Sequence, residues 1–189
     1  MMENNHRCMA HSLPRVFFML GCALFFSCPR SVPAQDSWSK SYPTRYATIF
    51  YANDGDLHRF ARNIGSGLSF MRESPEKDPT VTKNRVDRIV EAVERLIDMR
   101  PPNLHFSIYI YQNQAELTTA YHRLGMTGAA PPAFYAHLTE SVSLSLDTIT
   151  NGMLAHEIAH AIICFHFGAP PPMRMQEILA QFVDKHLED

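Results

Sequence analysis

Residues 151–168 read NGMLAHEIAHAIICFHFG, and this stretch decides how the rest of the chain is interpreted. Most of its circumference is apolar, which is typical of a helix buried in a domain core. His156 and His160 are four residues apart, so they leave the same side of that helix about 6 Å apart along its axis and can share one metal ion. Glu157 stands beside them and can transfer protons. The pattern predicts metal-assisted hydrolysis. The competing interpretation is two hydrogen-bonded core histidines without a metal.

The surrounding sequence predicts an α+β fold, a small sheet with helices packed on it. Alternating or β-branched runs predict strands over 46–51, 104–111 and 141–146. Apolar periodicity of about 3.6 residues predicts five helices. These cover about 57–64, 81–99, 113–124, 151–167 and 173–187. Residues 65–80 and 126–137 are predicted loops, and no internal repeat is visible.

The first 34 residues are predicted to be a secretory signal peptide. Arg7 and Arg15 precede an apolar run over 16–27, and small residues follow at 32–34, where a signal peptidase would cut. A run of 12 residues is short for a bilayer span, which needs about 20. The mature chain is therefore expected to be secreted or periplasmic, with no stable membrane span. An uncleaved leader that anchors the chain is the alternative, and lipidation at Cys22 or Cys28 is a minor one.

Cleavage after Ala34 would leave an irregular tail over 35–45 and a single domain over 46–189. The full chain has 17 basic and 19 acidic residues, and losing the leader leaves 14 and 18, a net charge of −4. This balance, without a basic stripe, argues against nucleic acid as a partner. Cys164 would be the remaining cysteine, so the fold is expected to hold without an intramolecular disulfide.

A catalytic zinc uses three protein ligands and a water, so two histidines require a third protein group. His166 completes the outline of the metzincin pattern, His-Glu-x-x-His followed six residues later by His. Metzincins, however, have glycine where this chain has Ile163, and an isoleucine lets the helix continue to Gly168. On an unbroken helix His166 lies about 240° around from His160 and points away from the metal. Glu177 on the following helix is the second candidate.

Residues 175–182 read MQEILAQF, and together with the His-Glu-x-x-His helix they resemble the gluzincin metallopeptidases, especially the peptidase MA-like group. In that family a second helix returns antiparallel to the first and carries the glutamate of an Asn-Glu-Gly-Leu-Ala-Glu-Tyr-like run. Glu177, Leu179 and Ala180 match that run; Gln176, Ile178, Gln181 and Phe182 depart from it.

The resemblance implies a zincin-like fold and one zinc ion, with His156, His160 and Glu177 as ligands and Glu157 as general base. The alternative for Glu177 is a solvated carboxylate on a helix surface. The resemblance also implies that the strand before the zinc helix, residues 141–147, is the sheet edge that binds an extended peptide substrate. Ser141, Ser143 and Ser145 are then the predicted substrate-binding residues, by β-strand addition. The alternative is a plain sheet edge with solvated serines.

A donor to the developing oxyanion is the missing part of this prediction. Thermolysin-like relatives place it on a C-terminal subdomain, whereas this sequence continues for 12 residues after Glu177. The expected donors are therefore Tyr135, His137, His186 or a partner chain. Tyr135 is favoured because a phenol can donate without changing charge.

Two further positions bear on the metal site. Gln181 stands where related enzymes often carry an acid that supports a ligand histidine. Cys164 is either a residue near the metal or a small buried apolar side chain.

The leading hypothesis is a secreted or periplasmic zinc peptidase that acts on a peptide or protein substrate. A second hypothesis is a zincin-like binding protein that retains zinc for structure or recognition without catalysis. The third is an ordinary α+β domain with neither metal nor catalysis.

Overall fold

The fold is α+β, as the sequence predicts, and consists of a mixed sheet with helices packed on it. The computed structural model describes residues 38–65 and 79–187. Within these residues the chain forms five strands and five α-helices. In chain order they are β1 Lys40–Pro43, β2 Ala47–Tyr51, α1 Asp54–Gly65, α2 Pro79–Ile97, β3 Phe106–Tyr111, α3 Gln114–Arg123, β4 Ala133–Ala136, β5 Ser141–Ser145, α4 Asn151–Phe167 and α5 Met173–His186. The predicted signal peptide, residues 1–34, lies outside the described residues.

The sheet has the strand order β1-β2-β3-β5-β4. Its three inner strands, β2, β3 and β5, are parallel, and an antiparallel strand closes each edge. Ile108 of β3 pairs with Ile49 on one side and Val142 on the other, so apolar side chains line up on one face. All three side chains are fully buried, and this face carries the main core.

Helix α4 is the centre of the helical layer and contacts α1, α2 and α5 as well as β4 and β5. Leu154, Ile158 and Ile162 are fully buried in the core against the sheet. The Thr150 hydroxyl accepts a hydrogen bond from the Met153 N–H and caps the helix start. Gly168, at φ 69°, ends the helix in the left-handed conformation that glycine tolerates. Helix α3 instead packs on the opposite face of the sheet, where Tyr121 contacts Phe134.

The predicted irregular tail over 35–45 is wrong for the described residues 38–45. Residues Lys40–Pro43 form β1 and pair with β2. The Trp38 indole N–H donates to the carbonyl of Ile110 at 2.9 Å, and its ring packs on Tyr109. This edge strand is mostly exposed and ends in proline, so it has no alternating pattern that would predict a strand.

The predicted position of the sheet edge is also wrong. Strand β5 is an inner strand, because β4 pairs along its outer side. Ser141, Ser143 and Ser145 are 2%, 2% and 0% exposed, so they offer no open sheet edge to a substrate strand. They lie on the sheet face opposite Val142 and Leu144, the face on which α3 packs. Alternation predicted which residues share a face, but it carries no information on whether another strand pairs beside them.

Among the described helices, none has both the length and the apolarity that crossing a membrane requires.

A candidate metal centre

Three side chains from α4 and α5 converge at one point. The His156 Nε2 and His160 Nε2 atoms are 3.3 Å apart. The Glu177 carboxylate lies 3.7 Å from the first nitrogen and 3.5 Å from the second. One ligand atom from each of the three residues lies within 4.8 Å of the others. The sequence prediction that these residues come together is confirmed, and the group could hold a metal ion.

Each imidazole is oriented by a partner on α5. His156 Nδ1 lies 3.0 Å from an Asp184 carboxylate oxygen, which can only accept, so Nδ1 donates. His160 Nδ1 lies 3.2 Å from Gln176 Oε1. The Gln176 amide nitrogen donates to the Pro171 carbonyl at 2.7 Å, which fixes the amide orientation and makes Oε1 an acceptor. Both histidines therefore carry their proton on Nδ1.

This proton placement leaves the two Nε2 lone pairs facing each other beside a carboxylate. Such an arrangement is electrostatically unfavourable unless a cation lies between the groups. A proton satisfies only two of the three groups, and burial lowers the pKa of His160, which opposes protonation there. A metal ion satisfies all three groups at once. The contacts to Asp184 and Gln176 are the outer partners that ligand histidines usually have.

Glu157 lies on α4 beside the ligand group. Burial raises the pKa of its carboxyl to about 7, while His156 and a hydrogen bond from the backbone N–H of Tyr135 act in the opposite direction. A carboxyl group with a pKa close to neutral can both accept and release a proton under ordinary conditions. The position and environment of Glu157 suit a general base.

Two hollows adjoin the ligand group, one toward each end of β4. The larger has a volume of about 630 Å³ and extends past Phe134 and Leu138 to the start of α5. The smaller has a volume of about 360 Å³ and lies beside Pro131 and Met153. His156 and Glu157 belong to the walls of both hollows. All three residues of the ligand group line the larger hollow, and His156 also lines the smaller one.

Strand β4 presents a free backbone edge to this cleft. The carbonyl of Pro132 accepts from the N–H of Ser145 in β5. In an antiparallel ladder the backbone N–H and C=O groups of every second residue point to the same neighbouring strand. Those of Phe134 therefore also point to β5, and those of Ala133 and Tyr135 point away from it. The hydrogen bond from the Tyr135 N–H to Glu157 agrees with this direction. An extended chain could pair with the outward groups of Ala133 and with the carbonyl of Tyr135, whose N–H is held by Glu157.

The predicted oxyanion donors differ in whether they line the cleft. Tyr135 and His137 both line the larger hollow. The Tyr135 hydroxyl and His137 Nδ1 are buried and have no hydrogen-bond partner among the described residues. Burial raises the pKa of Tyr135, which keeps its hydroxyl protonated and able to donate. His186 lines neither hollow, and its Nδ1 is 2.8 Å from the Phe182 carbonyl.

Of the remaining predicted positions, His166 and Gln181 lie outside the site and Cys164 lies in its wall. His166 is exposed and is not part of the ligand group, as its helical angle predicts. Gln181 is exposed too, and the supporting acid is Asp184 instead. Asp184 lies seven residues after Glu177, two helical turns, so the helical repeat could have found it. Cys164 is buried in the wall of the larger hollow, with Sγ 3.8 Å from Gln176 Oε1.

Comparisons of the chain with protein-family models, curated proteins and solved structures found no match. The resemblance to gluzincins therefore rests on residues 140–183 of this sequence and on the geometry of the ligand group.

Substitution Asp184→Ala is expected to weaken metal binding by about 10–100-fold, because it frees the His156 ring and removes a partner that raises its basicity. Isothermal titration of the metal-free protein with zinc measures the change. Asp147→Ala is the matched control, since the Asp147 side chain is 46% exposed against 42% for Asp184 and pairs only with Arg59 among the described residues. Equal affinities for the two variants would contradict the role of Asp184.

Proposed function

We propose that this chain is a zinc-dependent peptidase with a zincin-like fold. The observation that supports it most is the convergence of two imidazole lone pairs and the Glu177 carboxylate beside the half-buried Glu157, in a cleft that strand β4 borders. The pairs His160–Gln176 and His156–Asp184 run in opposite directions along α4 and α5, so the two helices are antiparallel. This is the arrangement that the gluzincin resemblance implies.

Zinc suits the ligand group in both chemistry and size. Two imidazoles and one carboxylate are a donor set that catalytic zinc sites use. Tetrahedral ligands at zinc distances of about 2.0–2.1 Å are about 3.3 Å from one another. The two Nε2 atoms are 3.3 Å apart, at that value, and one Glu177 oxygen lies within 4.8 Å of both nitrogens. Small shifts of the Glu177 side chain, which is 42% exposed, would complete the fit.

A peptide or protein is the substrate that the cleft fits best. An extended peptide would add as a strand to β4, using the outward backbone groups of Ala133 and the carbonyl of Tyr135. This places the peptide backbone next to Glu157, because the Tyr135 N–H already contacts that carboxylate. Strand β4 thus takes the role that the sequence assigned to the serines of β5.

Bound zinc would lower the pKa of a water toward 7 and polarise the scissile carbonyl. Glu157 takes the proton from the attacking water and passes it to the leaving amine. The hydroxyl of Tyr135 is proposed to donate to the developing oxyanion, and His137 is the second candidate because it lines the same hollow. Asp184 and Gln176 hold the two imidazoles in the tautomer that leaves Nε2 free.

The predicted leader over 1–34 adds the location: we infer that the mature enzyme acts in an extracellular or periplasmic compartment. The buried Cys164 is compatible with such a compartment, since its thiol is covered.

The proposal is tested by metal removal and restoration. The purified chain is expected to contain one zinc ion and to cleave an unstructured protein such as casein. A chelator should abolish cleavage, and added zinc should restore it, whereas added magnesium should not because it prefers oxygen ligands. Zinc at one per chain without cleavage would instead identify a non-catalytic zinc-binding protein. A chain that takes up no zinc would contradict both functions.

A further inference from the structure

The larger hollow has an unusually apolar mouth. Among the described residues eight large hydrophobic side chains are exposed, and three of them line this hollow. They are Leu124 at the end of α3, Leu138 after β4 and Met173 at the start of α5, with exposed fractions of 44%, 96% and 65%. A cluster of exposed apolar side chains on a soluble domain usually marks a binding surface.

The inner walls continue this character. Tyr121 and Phe134 meet edge to face at 5.2 Å on the side of α3. Met126, Pro170 and Cys164 also belong to the wall, and each presents carbon or sulfur. Neither lysine nor arginine lines the hollow among the described residues, and both acidic side chains of its wall, Glu157 and Glu177, lie at the metal end. A charged side chain entering this hollow would find no opposite charge away from the metal group.

The volume of the hollow is also large enough to bind a ligand. A volume of about 630 Å³ is far larger than a packing defect and falls within the range of ligand pockets. The hollow begins at the two histidines and Glu157 and extends away from them to Met173. A peptide paired with β4 at the metal would therefore direct one side chain into it.

We propose, on the basis of the peptidase function inferred above, that this hollow is a specificity pocket for a large apolar substrate side chain next to the cleaved bond. Leu124, Leu138 and Met173 form its entrance and determine the preference. Burial of the substrate side chain against these walls supplies binding energy, whereas an acidic or basic side chain loses hydration and meets no opposite charge away from the metal end.

The first test uses peptides that are identical except for one position, which holds Phe, Leu, Ala, Asp or Lys. Mass spectrometry of the products after incubation with the zinc-loaded chain locates the cleaved bonds. We expect the Phe and Leu peptides to be cleaved at one fixed position relative to that residue. Their kcat/KM should exceed that of the Ala peptide by at least about 10-fold, since a few methylenes in an apolar pocket discriminate to this degree.

The second test changes the entrance without changing the metal group. Met173→Glu puts a carboxylate at the mouth, and an acidic residue suits the first turn of a helix, so α5 should still form. The matched control is Met175→Glu in the same turn, because Met175 is 37% exposed and does not line the hollow. We expect Met173→Glu to lower kcat/KM for the Phe peptide at least about 10-fold and to raise that for the Lys peptide. Met175→Glu should leave both unchanged.

Binding to the Glu157→Gln variant separates this inference from the peptidase function. Fluorescence anisotropy of labelled Phe and Asp peptides measures affinity where no cleavage occurs. The pocket is supported if the Phe peptide binds more tightly than the Asp peptide and adding Met173→Glu abolishes this difference. This holds even if the native chain proves unable to cleave peptides. Glu157-dependent cleavage without preference among the five peptides overturns the pocket and leaves the peptidase function standing. Equal effects of the two methionine substitutions overturn the pocket as well.

Discussion

Glu157→Gln is expected to reduce peptide hydrolysis by about 10²–10⁴-fold, the usual contribution of a general base. Glutamine has nearly the same shape but cannot accept a proton at neutral pH, so the attacking water keeps its proton. The zinc content should stay at one per chain, because His156, His160 and Glu177 are unchanged. Steady-state kinetics on a cleaved peptide and metal analysis on the same sample measure both quantities.

Glu94→Gln is the matched control for this substitution. Glu94 is buried, at 8% exposure, and burial raises the pKa of its carboxyl as it does for Glu157. It lies on α2 and lines neither hollow of the cleft. Loss of activity in Glu157→Gln alone therefore reports on the position of Glu157 and not on a general effect of removing a buried carboxylate. Full activity of Glu157→Gln would exclude it as the base.

Much of the fold could be predicted from the sequence because local periodicity determines it. All five helices and the three inner strands lie close to their predicted positions. Asn113 likewise caps the start of α3, since its side chain accepts from the Glu116 N–H at 3.0 Å. These features depend on neighbours within a few residues, and such neighbours are visible in the sequence.

The two edge strands could not be predicted, for a different physical reason. Strands β1 and β4 have four residues each, and their stability comes from pairing with β2 and β5. Short edge strands have a partner on one side only, so neither alternation nor high apolarity is required of them. Missing β4 caused the serines of β5 to be assigned to substrate, which shows how one long-range pairing changes the position of a functional edge.

The histidine pair of the ligand group could be predicted from local spacing, and Glu177 from the resemblance of residues 175–182 to the gluzincins. His156 and His160 share a helix face by their spacing, and Glu177 follows on the next helix after a short turn. The supporting partners Asp184 and Gln176 depend on how α4 and α5 pack side by side. Related enzymes often carry a supporting acid one turn after Glu177, where this chain has the neutral Gln181. The antiparallel packing instead brings Asp184, two turns after Glu177, to His156.

Glu177→Gln is expected to weaken zinc binding by more than about 100-fold, the upper limit for loss of an outer partner, because a neutral amide is a poor zinc ligand. Only two neutral imidazoles then remain in the group. Thermal unfolding with and without zinc provides the measurement. Zinc at 100 times its dissociation constant should stabilise the native chain by about 2.7 kcal/mol, and the variant should show almost none of this increase.

Glu91→Gln is the control for a surface carboxylate. Glu91 lies on α2 and pairs with Arg45, and its side chain is 39% exposed against 42% for Glu177. It should respond to zinc as the native chain does. If Glu177→Gln also binds zinc with native affinity while His160→Ala does not, the third ligand is another group. Asp184 would then be the next candidate, because its carboxylate already contacts His156. Because the proposed chemistry needs a histidine pair whose Nε2 atoms face a third anionic ligand, this result would also remove the geometric argument for zinc.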